Sequence, residues 1–526
     1  MNVRENWRIV LLVVFVVGSS LALFAPFAQP DAGNASAVDT SGPTNLQFGL
    51  ELAGGTRIRA PLVGTTAENL EFGPDQESSI RSTVSERLNV SQSSVNVRGN
   101  TDNGGAVEVL EEDVDEGELV AALEAADVSA SAENVRDGTT RETREQTVET
   151  MDAKINRAGL SGGQARSTTS VTGDSFVIVE IPNANRSEVR DLIGDRGVVE
   201  IVAHYPENTD NGTRYVNETV LTNEQLERSN VGTAQVRQGV PGVDVTLTDD
   251  AANDYRNTLR EAGFTSGDAA SNCRFGESEQ AGYCLLTTLD GEVVYSAGVT
   301  PGLAELIESG EFLDNPTFIA QTNSIEEAQA LQINLRAGAL PARLDFEDGT
   351  VSFLQPSLAN RFKFNALLTG LAAWLMVSGV VFLRYKDPRV AVPMLVTAMA
   401  EVYLLLGFAS AIGLPLDLSH IAGFIAVIGT GVDDLLIIAD EILQQGNVAT
   451  GRVFQNRFRK AFWVIGAAAV TTIIAMSPLA VLSLGDLTGF AIVTIVGVLI
   501  GVLVTRPAYG DILRNLILRQ EERDRD

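Results

Sequence analysis

The 526-residue sequence predicts an α-helical membrane bundle of six transmembrane helices carrying one large extracytoplasmic α+β domain. Three observations predict it. Six apolar runs are each long enough to cross a bilayer. The net negative charge belongs wholly to the stretch between the first and second runs. The basic residues beyond it sit in alternate connecting segments.

The first run, Ile9 to Phe27, follows Arg4 and Arg8. A cleaved signal peptide has a similar layout, and Ala35 and Ala37 give cleavage-like spacing further on. The run is long for a signal core, so an uncleaved first helix is expected. Five more spans are predicted: Phe364–Leu383, Val390–Ile412, Ile421–Leu443, Phe462–Leu484 and Leu487–Val504. Each approaches the ~20 residues that cover ~30 Å of hydrocarbon. Glycines recur in them, as close helix packing in lipid allows.

Loop charge orients the chain. Arg384, Lys386 and Arg389 lie between spans two and three, and Arg452, Arg457, Arg459 and Lys460 between spans four and five. Arg506, Arg514 and Arg519 fall in the expected C-terminal tail. The opposite loops, Gly413–His420 and Gly485–Asp486, hold no Lys or Arg. The bias of basic residues toward the cytoplasm puts both termini inside and the large domain outside. The expected layout is 1–30 for the N-terminus and first helix, 31–363 for the outer domain, 364–505 for a five-helix bundle and 506–526 for the tail.

The outer segment carries 24 Lys+Arg against 54 Asp+Glu, which is the whole net charge of −30. Such a field repels nucleic acid and anionic lipid surfaces. Only four lysines occur, Lys154, Lys363, Lys386 and Lys460. An acidic, lysine-poor surface suits molar salt, where self-repulsion is screened, and points to a halophile, a haloarchaeon; an acidic domain from a GC-rich mesophile is the alternative.

Within this segment, strands are expected at Gly105–Leu110, Phe176–Ile181, Gly197–His204, Val243–Leu247, Tyr283–Thr288 and Val293–Ser296. Asp290-Gly291 marks a hairpin turn. Helices are expected at Arg141–Ala158, at Asp249–Ala262 behind a Thr248 cap, and at Ser324–Ala337 behind a Ser-x-x-Glu box. The turn-rich stretch from Pro206 suggests an inserted head at about 206–315. Cys273 and Cys284 are the only cysteines, and a disulfide between them is allowed in an outer domain. No His cluster or CxxC pair suggests a metal, and no catalytic constellation or cofactor motif is found. Sequons at Asn34, Asn89, Asn185, Asn211 and Asn217 permit glycosylation.

The spans contain acids. Asp433 lies near the centre of span four, where an aspartate costs about 2.5–3.5 kcal/mol on insertion scales. Such residues usually mark ion paths. Asp434 is adjacent, and Asp440 falls two turns on, on the face of Asp433. Glu401 is mid-span in helix three. Thr471 and Thr472 either relay protons or satisfy helix carbonyls. No Lys or Arg is expected in the core of any span, so Asp433 is either protonated or paired on another chain.

Three motifs, in order, carry a family resemblance. Phe48-Gly49-Leu50-Glu51-Leu52-Ala53-Gly54-Gly55 is similar to the Gly-Leu-Asp-Leu-x-Gly-Gly opening of the SecD family. Leu335-Arg336-Ala337-Gly338-Ala339-Leu340-Pro341 resembles that family's signature before its second span. Gly431-Val432-Asp433-Asp434-Leu435-Leu436-Ile437-Ile438-Ala439-Asp440-Glu441 is similar to its Val-Asp-Ala-Asn-Val-Leu-Ile-x-Glu pattern. Glu51, Asp434 and Leu435 depart from the usual Asp, Ala and Asn. The resemblance implies half of a resistance-nodulation-division unit, completed by SecF as a six-helix partner chain. It implies no enzyme but a subunit that helps the Sec channel move unfolded polypeptide across the membrane, with lipid around it and H⁺ or Na⁺ flux through the helices as the drive. Gly54 and Gly55 would form a tight turn at the domain base. A small-molecule or lipid exporter of the same superfamily would need twelve spans and two outer domains, and a sensory anchor would not need intramembrane acids.

Overall fold

The structure, a computed structural model, describes residues 6–25, 44–101, 104–112, 114–160, 162–170, 174–209, 212–237, 239–266, 273–276, 281–443, 451–481 and 486–523. The sequons at Asn34 and Asn211 lie outside these.

The elements run α1 (Trp7–Phe24), α2 (Leu50–Ala53), β1 (Gly55–Ala60), β2 (Thr65–Leu70), α3 (Glu77–Leu88), β3 (Val95–Thr101), β4 (Gly104–Val109), α4 (Glu116–Ala125), β5 (Val135–Asp137), α5 (Arg141–Arg157), β6 (Gln164–Thr169), β7 (Ser175–Pro182) and α6 (Arg186–Ile193). Next come β8 (Val199–Thr209), β9 (Gly212–Thr222), β10 (Gln235–Arg237), β11 (Val240–Thr246), α7 (Asp249–Glu261), β12 (Cys284–Leu289), β13 (Glu292–Ala297), α8 (Pro301–Ser309), β14 (Thr317–Gln321), α9 (Ile325–Ala337) and β15 (Thr350–Leu354). The chain then enters α10 (Pro356–Tyr385), α11 (Pro388–Ala411), α12 (Leu418–Leu443), α13 (Gly451–Val481), α14 (Asp486–Ile500) and α15 (Arg506–Arg523).

Four antiparallel sheets build the large domain, in orders β3-β4-β2-β5, β15-β1-β7-β6, β13-β12-β8-β9 and β10-β11-β14. Alternation explains β7: Val177, Val179 and Ile181 are fully buried on one face and pack with Met151 and Ile155 of α5. A separate core spans Val199 to Leu335 and gathers Tyr255, Phe264 and Phe312. The Asp290-Gly291 pair turns β12 into β13 with both residues at positive φ, 51° and 83°, the twist that two-residue hairpins favour. The Cys273–Cys284 disulfide closes beside this sheet. Thr248 stands at the N-cap of α7 but makes no side-chain cap bond. Ser324 does cap α9, accepting the Glu327 N–H at 3.1 Å.

Arg196, between α6 and β8, ties neighbouring parts of the domain together, donating to Leu340 O at 3.2 Å, Ser94 Oγ at 3.1 Å and Ser93 O at 2.8 Å. Leu340 N donates back to Arg196 O at 2.6 Å. Buried Lys154 adds Nζ to the same carbonyl at 3.3 Å, and its burial lowers its pKa to about 8. Arg336 donates twice to Val231 O, at 3.0 and 2.8 Å. In the same motif Gly338 has φ +92° with the Arg228 guanidinium against it, and Ala337 and Leu340 are buried.

Six helices are long and apolar enough to cross a membrane. α11 and α12 are the most enclosed, while α10 and α13 leave most of their apolar surface exposed. Some helices outrun the expected spans: α10 begins at Pro356 rather than Phe364, and α13 at Gly451 rather than Phe462. The last span does not stop at 504: α14 passes through a single π-helical turn, Gly501–Thr505, directly into α15. One continuous helix therefore covers Leu487–Leu516, and Arg506 lies within it rather than beyond its end.

Candidate functional site: a buried charge cluster in the helix bundle

Arg506 and Glu401 each have 1% of their side chain exposed, and they bond to one another through Arg506 Nη1 and Glu401 Oε2. The same guanidinium reaches Asp434 Oδ2 from Nη2 at 3.2 Å and from Nε at 3.3 Å. Thr505 Oγ1 donates to Glu401 Oε2 at 3.0 Å. α11, α12 and α15 thus each contribute one charged group.

The local backbone makes room for this. A Cβ on Gly501 would stand 1.7 Å from Arg506 Nη1, so any side chain there would displace the guanidinium from its carboxylate partners. A Cβ on Gly431 would come 3.3 Å from Glu401 Oε2. π turns inside helices often sit at functional positions, and here the turn rotates Arg506 into the bundle. Arg506, read from the sequence as a tail residue, is instead enclosed among the helices, against α11 and α12. The apolar positions Ala508, Tyr509 and Leu513, all buried, continue the helical face past 504 and could have revealed it.

The arrangement is unbalanced. One cation faces two carboxylates, and Glu401 Oε1 is buried without a hydrogen-bond partner. A group of this composition reaches neutrality by taking up one further positive charge, the chemistry of a proton or cation carrier.

The predicted residues separate into distinct places. Asp433 is exposed on the outer side of α12 and has no hydrogen bond or ion pair among the described residues, while Asp434 beside it turns inward. Asp440 lies nearer the end of α12, held by Arg384 at 3.0 Å and by the Tyr385 hydroxyl at 2.8 Å. Thr471 and Thr472 donate to Ala468 O of their own helix at 2.8 and 3.0 Å, so they satisfy carbonyls.

The opening motif lies elsewhere, where the large domain meets the bundle. Gly49 N donates to Leu416 O at 2.9 Å, and Leu416 N to Gln47 O at 3.0 Å. Glu51 accepts the Leu418 N–H at 3.1 Å, and Asp417 accepts the Glu51 N–H in return. A Cβ on Gly49 would collide with the Asp417 carboxylate at 2.1 Å. Gly54 (φ +79°) and Gly55 (φ +136°) turn the chain into β1, and a Cβ on Gly55 would sit 2.3 Å from Ile181 O. Burial, with Glu180 and Glu51 nearby, raises the Asp417 pKa to about 7. No group of three or more metal-ligating side chains occurs among the described residues.

The profile described as protein export membrane protein SecD/SecF, C-terminal, matches residues 339–516. The protein-export membrane protein SecD of Haloferax volcanii is 51% identical over 98% of this chain and 99% of its own length. The protein of the same name from Haloquadratum walsbyi is 50% identical over 98% of both chains. The crystal structure of SecDF, a translocon-associated membrane protein from Thermus thermophilus, aligns with 98% of this chain at 18% identity and a TM-score of 0.46. This chain spans 59% of the length of that one.

Proposed function

This chain belongs to the SecD family of protein-export membrane proteins, and from that premise we propose that it promotes Sec-dependent translocation by passing protons through the Glu401–Arg506–Asp434 cluster. The observation that carries the reading is the charge imbalance: two buried carboxylates share one buried arginine. Holding an excess negative charge in hydrocarbon is costly, so the cluster gains and loses one proton as its exposure changes.

The basic segments that lead into α11 and into α13 are taken to face the cytoplasm, with the acidic domain outside. That domain holds the emerging unfolded polypeptide and moves with the proton cycle; it performs no covalent chemistry. SecF is the partner. An exposed carboxylate at Asp433, in the middle of an apolar helix, is unfavourable against lipid by about 2.5–3.5 kcal/mol. It therefore supports a second chain covering that face of α12, and the exposed apolar surfaces of α10 and α13 support the same reading.

Export of a secreted reporter, followed by pulse–chase after chromosomal replacement, tests this. Glu401→Gln and Asp434→Asn are expected to slow export as severely as deletion of the gene while the protein stays in the membrane. Asp433→Asn is expected to weaken recovery of SecF with the chain. Normal export in both cluster variants, with a defective deletion strain, would eliminate proton passage through these residues.

A further inference from the structure

We propose that Tyr509, Tyr385 and Asp440 form the cytoplasmic leg of the proton route, a water-threaded path from the Glu401–Arg506–Asp434 cluster to the membrane surface. This rests on the proton-passage reading above and names the exit that reading lacks.

The argument starts from two orphaned atoms. Tyr509 is fully buried, and its hydroxyl has no hydrogen-bond partner among the described residues. Glu401 Oε1, in the cluster itself, is in the same condition. A buried polar atom left unpaired costs about 1–3 kcal/mol, and native proteins meet that cost with internal water. Two such atoms in adjoining parts of one bundle mark the ends of a hydrated thread. Tyr509 follows Arg506 by three residues, so both lie on one face of α15, a turn apart.

The second half is bonded directly. Tyr385, at the end of α10, packs against the same buried cluster of residues that holds Tyr509. Its hydroxyl donates to Asp440 Oδ1 at 2.8 Å. Asp440 is six residues beyond Asp434, about 9 Å along α12. Its side chain is 32% exposed, and Arg384 lies beside it at 3.0 Å. The polar groups therefore step from fully buried to aqueous in one direction, toward the end of the bundle that bears Arg384 and Lys386.

Each transfer conserves charge. A proton leaving the carboxylate pair passes to water. The Tyr509 hydroxyl accepts a proton on oxygen as it releases its own, the Tyr385 hydroxyl does the same toward Asp440 Oδ1, and each is neutral before and after. The proton ends on the Asp440 carboxylate and leaves to bulk water. Only O–H bonds form and break.

The test uses membrane vesicles containing the full chain with its partner subunit, a trapped pH-sensitive dye and an imposed pH step. Tyr509→Phe, which removes one oxygen, and Asp440→Ala are each expected to slow proton entry at least about tenfold, on the scale of losing a positioned proton-transfer group. Added azide, a small weak acid, is expected to restore Asp440→Ala, which no purely structural defect would allow. Matched thermal unfolding of each variant reports folding. Native flux in both variants, with flux abolished by Glu401→Gln, overturns this leg and leaves the cluster reading standing. Native flux in Glu401→Gln as well overturns both.

Discussion

Replacing Arg506 with methionine separates the energetic role of the cluster from its functional one. Among the described residues, Arg506 is the only cation paired with Glu401 and Asp434. Removing it leaves two carboxylates in a site where Glu401 and the arginine itself are 99% enclosed. Breaking a buried pair by deleting one partner costs about 3–5 kcal/mol, because the remaining charge is uncompensated. Replacing every member by a neutral group of similar shape is often close to neutral. Arg506→Met is therefore expected to lose about 3–5 kcal/mol, and the triple variant Arg506→Met, Glu401→Gln, Asp434→Asn to recover most of that loss. The assay is denaturant unfolding in nanodiscs at fixed high salt, followed by tryptophan fluorescence, with export measured in parallel. Export should fail in both variants although only one is unstable. The reasoning is refuted if Arg506→Met is within about 1 kcal/mol of native, or if the triple variant is less stable than the single one.

Three further outcomes are expected. Because the Asp417 pKa is raised from 3.8 to about 7, its protonated form is favoured in the fold. Its contribution to the joint is complete below about pH 4 and is lost as pH rises to about 7. Glu51, Glu180, Arg166 and His420 surround it. Thermal midpoints of the native chain and Asp417→Asn should converge at low pH, with the variant the more stable above pH 7; parallel curves would contradict this. Gly55→Ala must open the β1–β7 pairing to avoid Ile181 O and should cost about 1–3 kcal/mol, read as faster proteolysis between the domain and the bundle. Reducing the Cys273–Cys284 bridge, which closes a separation of 11 residues, should destabilise the large domain by about 2–3 kcal/mol, measured by its unfolding midpoint with and without reductant.

The membrane spans were legible because hydrocarbon imposes one rule, length times hydropathy, and every span obeys it. The longer outer elements were legible for a related reason: β7 and α5 bury one face each, and the residue period shows it. Strands such as β2, with the sequence TTAENL, and β9, with GTRYVNETVLT, were not. Their neighbours in the sheets supply the burial, so the residues carry little pattern of their own. The cluster was half legible. Glu401 and Asp434 were visible as acids in apolar surroundings, but which of Asp433 and Asp434 points inward is a matter of helix phase, fixed by packing against α11 and α15. Arg506 was hidden because the π turn before it shifts the helical phase by one residue, and a lone arginine after an apolar run ordinarily reads as an interfacial anchor.

One element ties the two sites together. α12 begins at Leu418, whose N–H is held by Glu51 of the opening motif, and directly after Asp417, which holds Glu51 in return. Seventeen residues further on, about 25 Å along a continuous helix, the same element carries Asp434 to Arg506. A helix of this kind transmits rotation and translation with little loss, since its backbone bonds are all internal. On the proposed mechanism, a change of charge at the cluster that repositions Asp434 acts on α12 as a whole; the base of the large domain is fastened to the far end of that helix by a reciprocal pair of carboxylate–backbone bonds. This also explains why Gly49 is glycine: a side chain there would push Asp417 out of the joint between α12 and the large domain. Gly49→Ala should accordingly leave proton flux in vesicles intact while export falls to the level of the deletion strain; loss of both together would mean that the joint is needed for the bundle itself to assemble.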